Sequence, residues 1–219
     1  MKKHLPNFIT SLNLATGCVG IYCLLVLGQP KAIYFVLIGA FFDLLDGLVA
    51  RLLRVSSELG KQLDSLADLI TFGLLPSFFL LTLLRDQTPL FWMAILVAVV
   101  SAVRLGKFNL DDSQKDSFRG LPTPANAIML TSMSFVPFEL GVSALISITV
   151  LSCFLLVSNV RLIALKFTTY SWQGNVFRWL LIIGSVVFVA VFQWTSVPLL
   201  IPFYITISLI SSLNKSYSK

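Results

Sequence analysis

Asp43, Asp46, Asp64 and Asp68 are four of only ten acidic residues in a chain of 219, and they stand where the sequence is otherwise apolar. Phe35-Val36-Leu37-Ile38 precede them and Leu69-Ile70-Thr71-Phe72 follow. An ionised side chain at membrane depth costs roughly 2.5–3.5 kcal/mol on insertion scales, and four together repel one another unless cations neutralise them. Asp43 and Asp46 are three apart and Asp64 and Asp68 four apart, so each pair shares one face of a helix. Carboxylate oxygens are the ligands that hard divalent cations take, magnesium in particular alongside substrate phosphates. Two such ions can clamp the attacking and leaving oxygens of a displacement at phosphorus. The pattern therefore points to a divalent metal site working on a phosphorylated substrate.

The elements that must hold these carboxylates are membrane helices. The chain is 57% apolar and 12% charged, with mean hydropathy +0.89, whereas soluble domains run near 25% charged. The expected fold is an all-α, polytopic membrane bundle forming one domain over residues 1–219. Apolar runs long enough to cross a bilayer fall at about 8–28, 31–53, 61–84, 89–106, 122–138, 142–164, 176–194 and 197–213. The fifth is the shortest and holds Pro122, Pro124 and Pro137, so six or seven spans are the alternatives to eight. The first run follows a charged start but is too long for a signal peptide and lacks a small-x-small cleavage site, so it is expected to stay as a span.

Basic residues orient the bundle. Under the eight-span reading, fourteen Lys and Arg fall on one side and only Lys31 and Arg85 on the other. That side is the cytoplasm, and both termini and the 109–120 loop belong to it. The net charge of +6 follows from this bias and from anionic headgroups, with no nucleic acid implied. Cys18, Cys23 and Cys153 lie in expected spans as buried small side chains, without the spacing of a zinc or redox site. His4 has no assigned role. On the second and third spans, which run in opposite directions, both carboxylate pairs reach similar depth in the cytoplasmic half. Gly47, Ala50 and Gly60 remove bulk beside them, which suits either a nucleotide or close helix packing. Arg51 offers a planar fork for phosphate.

Residues 43–68 read D-x2-D-G-x2-A-R-x8-G-x3-D-x3-D. This resembles the signature of the CDP-alcohol phosphatidyltransferases, with all eight fixed positions present. The resemblance implies an integral membrane enzyme that moves a phosphatidyl or phosphoalkyl group from a CDP-linked donor to an alcohol and releases CMP. It implies that Asp43, Asp46 and Asp64 bind metal, as two ions of magnesium or manganese. Asp68 would touch the second ion or act as the base on the acceptor hydroxyl, and Gly47, Ala50, Arg51 and Gly60 would shape the CDP pocket. Asn13 and Thr16, on one face of the first span, could reach the nucleotide; helix–helix hydrogen bonding is the alternative.

Three further stretches resemble the bacterial phosphatidylserine synthases within that family: residues 6–14 (P-N-F-I-T-S-L-N-L), 65–73 (S-L-A-D-L-I-T-F-G) and 118–125 (F-R-G-L-P-T-P-A). Residues 104–109 (R-L-G-K-F-N) are similar to an R-x2-R-F-N run of the family, with Lys107 in place of the commoner Arg. The likeness covers about the first 130 residues. It implies CDP-diacylglycerol and L-serine as substrates in the bacterial inner membrane, among membrane lipids, with a homodimer left open. Serine needs a cation for its carboxylate, and Arg104, Lys107 and Arg119 are the candidates by topology, with positive-inside charge the competing explanation. Glycerol 3-phosphate or inositol phosphate are rival acceptors, though either would want more convergent Arg and Lys. A cation transporter is the rival of another class; it would set carboxylates near mid-bilayer in repeated halves, and the second half of this chain has no partner set.

Overall fold

The computed structural model describes residues 4–28, 31–55, 57–110, 120–160, 162–163 and 172–217. These residues form an all-helical bundle with no strand among them. Helices α1 (His4–Leu25) and α2 (Ala32–Leu53) pair along their lengths. The third stretch is α3 (Glu58–Asp68), a π-helical turn (Leu69–Leu74) and α4 (Leu75–Leu84) in one continuous run. A 3-10 turn at Pro89–Ala94 leads into α5 (Ile95–Leu110). Next come α6 (Thr123–Thr131), α7 (Val142–Val157), α8 (Trp172–Phe192) and α9 (Val197–Tyr217).

Five helical stretches among the described residues are long and apolar enough to cross a membrane, where the sequence suggested eight. The first four match the first four expected spans. The fifth, Asn175–Ser211, contains the last two expected spans. It breaks at the 3-10 turn Gln193–Ser196, where Gln193 has φ 50. Beyond this break α9 returns along α8, with the Phe188 and Phe203 rings 5.3 Å apart. The expected span 122–138 is a nine-residue helix followed by a four-residue 3-10 turn. Pro122 and Pro124 lie at its start and Pro137 beyond its end, and none of them can donate a helical hydrogen bond. The expected span 142–164 is a 16-residue helix.

Local chemistry explains the hairpin that carries the acidic motif. Helix α2 stops at Arg54, whose left-handed backbone (φ 52) turns its N–H back onto the carbonyls of Ala50 and Arg51. Ser57 then caps α3, its hydroxyl accepting from the Gly60 N–H at 3.0 Å. Gly120 precedes α6 with φ +75, and a Cβ there would sit 2.7 Å from the Leu156 carbonyl. Only glycine fits such a conformation against a neighbouring backbone.

The core has two parts. One joins Leu24, Val36, Phe72, Leu75 and Phe79 with Ala127, and the other joins Leu80, Leu84, Val97, Leu130 and Leu145. Large apolar side chains such as Phe41, Leu44, Leu52 and Phe154 point outward, as they should where the solvent is lipid. Cys18, expected to be buried, is exposed on the outward side of α1.

Candidate active site

The acidic motif folds as a cluster on α2 and α3. One carboxylate oxygen each from Asp43, Asp64 and Asp68 lies within 4.8 Å of the others. Asp46 belongs to the same field of charge but turns its Oδ2 toward α1, where the buried Thr10 hydroxyl donates to it at 2.5 Å. The one ion pair among the described residues is Arg85–Asp86, far along the chain from this cluster. Three convergent carboxylates without an ion-paired side chain are a donor set that suits a hard divalent cation.

Helix α1 ties the two carboxylate helices together. Thr10 reaches Asp46 on α2, and one turn later Asn13 Nδ2 donates to Asp68 Oδ1 on α3 at 3.3 Å. The Thr71 hydroxyl, in the π turn, donates to the Asn13 carbonyl at 3.0 Å. Gly17 and Gly39 face Thr71 from α1 and α2, and a Cβ on Gly17 would lie 2.5 Å from its Oγ1. Small residues at these positions let three helices close around the turn. The π turn itself begins directly after Asp68, and such insertions recur at functional sites.

A cleft of about 420 Å3 opens beside the cluster. Asp43, Asp46 and Asp64 line it, with Gly47, Ala50 and Gly60 as expected. A Cβ on Gly60 would fall 2.8 Å from Asn7 Oδ1, so a larger side chain there would press on the wall. Arg51 is exposed and not part of the lining; its Nε donates to the Gly47 carbonyl at 2.9 Å. Asn13 and Thr16 are not part of the lining either. Asn13 is committed to Asp68, and the Thr16 hydroxyl donates to the Leu12 carbonyl of its own helix at 2.8 Å.

The wall residues that sequence reasoning missed include Asn7, Thr10 and Lys61. Lys61 brings a cation to the cleft, and its Nζ donates to the Asn109 carbonyl at 2.9 Å. The available signals were its place next to Gly60 and the P-N-x-x-T run at 6–10. Of the expected acceptor residues, Arg104 is half-buried and within electrostatic reach of Asp68. Lys107 is exposed and has no hydrogen bond or ion pair among the described residues. Arg119 lies outside the described residues.

The sequence model of the CDP-alcohol phosphatidyltransferase family matches residues 3–191. The chain belongs to that family. Over 135 residues it is 34% identical to the CDP-diacylglycerol–serine O-phosphatidyltransferase of Bacillus subtilis strain 168, covering 61% of this chain and 76% of that one. It is 32% identical over 202 residues to the protein of the same description from Helicobacter pylori strain 26695, covering 88% of this chain and 84% of that one. A third relative of that description, from Mycobacterium leprae, is 36% identical over 146 residues; the match covers 63% of this chain and 48% of the relative. All three relatives are named for one acceptor, serine.

In a CDP-alcohol phosphatidyltransferase a hydroxyl oxygen must meet the phosphorus of a diphosphate while CMP leaves. The acidic cluster and the cleft stand side by side, as that chemistry requires. Asp68 is not part of the cleft wall. It belongs to the cluster with Asp43 and Asp64, and Arg104 is within electrostatic reach of it.

Proposed function

We propose that this chain makes phosphatidylserine and CMP from CDP-diacylglycerol and L-serine. The observation that carries this reading is the convergence of Asp43, Asp64 and Asp68 beside a glycine-lined cleft, in a chain whose relatives are described by serine transfer. The cytidine diphosphate head lies in the cleft along Gly47, Ala50 and Gly60, with Lys61 facing the diphosphate. Asp43, Asp46, Asp64 and Asp68 would hold two divalent ions, magnesium or manganese. When bound, the metal neutralises the carboxylates and draws charge from the diphosphate.

The chain's own groups then have distinct work. Asn13 holds one oxygen of Asp68 and leaves the other to accept the serine hydroxyl proton. The serine oxygen attacks the phosphorus that carries the diacylglycerol. The bond from that phosphorus to the CMP oxygen breaks, and CMP departs with the electron pair. Arg104 pairs with the serine carboxylate and turns the hydroxyl toward Asp68. The site faces the cytoplasm of the inner membrane, as the basic residues at its end of the bundle favour.

The test is product identity. Labelled CDP-diacylglycerol is offered to purified protein with serine, glycerol 3-phosphate and inositol phosphate in competition. Phosphatidylserine as the main product supports the reading, and a phosphorylated product sinks the choice of acceptor.

A further inference from the structure

Lys61 is the only Lys or Arg among the described residues that line the cleft. Asp64, three residues further along α3, lines it too. Side chains at that spacing are neighbours on a helix surface, and opposite charges there can pair. These two do not, since Arg85–Asp86 is the ion pair among the described residues. The Lys61 ammonium turns away from Asp64 and donates to the Asn109 carbonyl of α5 at 2.9 Å. A cation beside an acidic cluster is thus held by a neutral acceptor.

A closed set of bonds fixes that arrangement. Asn109 Nδ2 donates to Ser65 Oγ at 2.7 Å, and the Ser65 hydroxyl donates to the Lys61 carbonyl at 3.2 Å. The end of α5 is therefore fastened to α3 on either side of Asp64, at residues 61 and 65. Asn109 is the next-to-last residue of α5, where carbonyls lack a partner within the helix and carry its negative end. Lys61 is the fourth residue of α3, close to a positive helix end that disfavours a cation. The Asn109 carbonyl offsets that cost without cancelling the charge. One N–H of the ammonium is used, and two remain to be given.

We propose that Asn109 and Ser65 are positioning residues that hold the Lys61 ammonium off Asp64 and keep it for the diphosphate of the donor. The inference rests on the reading that the cleft takes this diphosphate. It adds that the end of α5 decides what the lysine meets. The tether does two things at once. Asp64 keeps its oxygens for a divalent cation, since an ammonium seated on them would compete for the same lone pairs. The donor meets a cation from the protein as well as from the metal. The holding carbonyl belongs to the backbone, so its place depends on the Asn109 side chain and its bond to Ser65. Freed from that carbonyl, Lys61 falls to the nearest anion of its own helix, Asp64, with Asp43 close by. Metal and donor then both lose.

The experiment compares Lys61→Gln, Asn109→Leu, Ser65→Ala and the double variant of Lys61→Gln with Asn109→Leu, as full chains in detergent. KM is read for CDP-diacylglycerol and for serine, with manganese affinity by paramagnetic resonance and the melting temperature beside them. Lys61→Gln should raise KM for CDP-diacylglycerol roughly 10-fold, the loss expected for one hydrogen bond between charged groups. KM for serine should stay within about 2-fold, and manganese affinity should not fall. Asn109→Leu and Ser65→Ala should raise the donor KM and also weaken manganese binding, because the freed ammonium settles on Asp64. Once Lys61 is replaced, Asn109→Leu should add nothing to either loss, the mark of residues acting through one another. A merely structural fastening gives another pattern: a lower melting temperature, unchanged manganese affinity, and losses that add in the double variant. That pattern overturns the proposal. If Asn109→Leu does not fold, Ser65→Ala, which removes a single oxygen, decides the same comparison with and without Lys61→Gln. Wild type that releases no CMP from CDP-diacylglycerol overturns the reading of the cleft itself. Wild type that releases it, with donor KM and manganese affinity unaltered in the variants of Asn109 and Ser65, overturns only this inference.

Discussion

The Thr10 hydroxyl on α1 donates to Asp46 Oδ2 on α2 across 2.5 Å, between two largely buried residues of the cleft wall. The same oxygen lies 3.0 Å from the Pro6 carbonyl of its own helix. A hydroxyl has one proton to give, and the shorter contact goes to the carboxylate. This bond aims Asp46 and holds α1 to the acidic motif.

Thr10→Val keeps the shape and removes the donor. It should weaken metal activation by roughly 10-fold, since a hydrogen bond to a charged group contributes about 1.5–3 kcal/mol. Thr10→Ser should restore most of it. Direct manganese binding to the purified variants, read by paramagnetic resonance, checks the effect apart from turnover. Equal manganese affinity in Thr10→Val and wild type would show that the bond does not aim Asp46.

The four carboxylates should separate by role. Asp68→Asn keeps size but loses the basic oxygen, so turnover should fall by about 10²-fold or more, the usual contribution of a general base. CDP-diacylglycerol should still bind. Asp43→Asn or Asp64→Asn should weaken metal and nucleotide binding together. Near-normal turnover of Asp68→Asn at saturating serine and metal would remove Asp68 from the base role.

Close approach around the π turn should show in stability. Gly17→Ala puts a Cβ 2.5 Å from Thr71 Oγ1 and 3.0 Å from the Thr71 backbone Cα. Overpacking of this kind costs about 1–3 kcal/mol. Gly106→Ala, with nothing within 4 Å of its Cβ, should be neutral or stabilising, because alanine favours a helix by about 1 kcal/mol over glycine. The Gly17 variant should therefore melt below wild type and below the Gly106 variant. Equal melting temperatures would contradict the packing described.

The distribution of basic residues favours a cytoplasmic 109–120 loop. A cysteine at Ser113, in a chain freed of Cys18, Cys23 and Cys153, should resist an impermeant thiol reagent in intact cells and react after permeabilisation. Labelling from outside would reverse the topology.

The acidic motif was legible because its information is local: residue type plus helical spacing places carboxylates on a face with no knowledge of the rest. The first four spans were legible for the same reason, as long apolar runs between turns. The fifth was not, because Pro122, Pro124 and Pro137 shorten a helix whose composition alone suggests a span. For Asn13 the sequence left nucleotide contact and a helix–helix hydrogen bond both open, since its helical face is visible in sequence but its partner is not. Only tertiary contact turns it onto Asp68. Thr10 and Lys61 were missed on the same ground: a threonine and a lysine are ordinary until α1 and α3 meet. The π turn left no periodic trace, since it arises where Thr71 wedges between Gly17 and Gly39.

The central claim is that metal held by this acidic cluster drives transfer of the phosphatidyl group to serine. Its most direct test measures CMP release from CDP-diacylglycerol by the purified chain, with and without serine, in excess chelator and after magnesium or manganese is restored. The account predicts CMP only when serine and metal are both present, with phosphatidylserine formed in equal amount. Full CMP release in excess chelator, or release indifferent to serine, would contradict it.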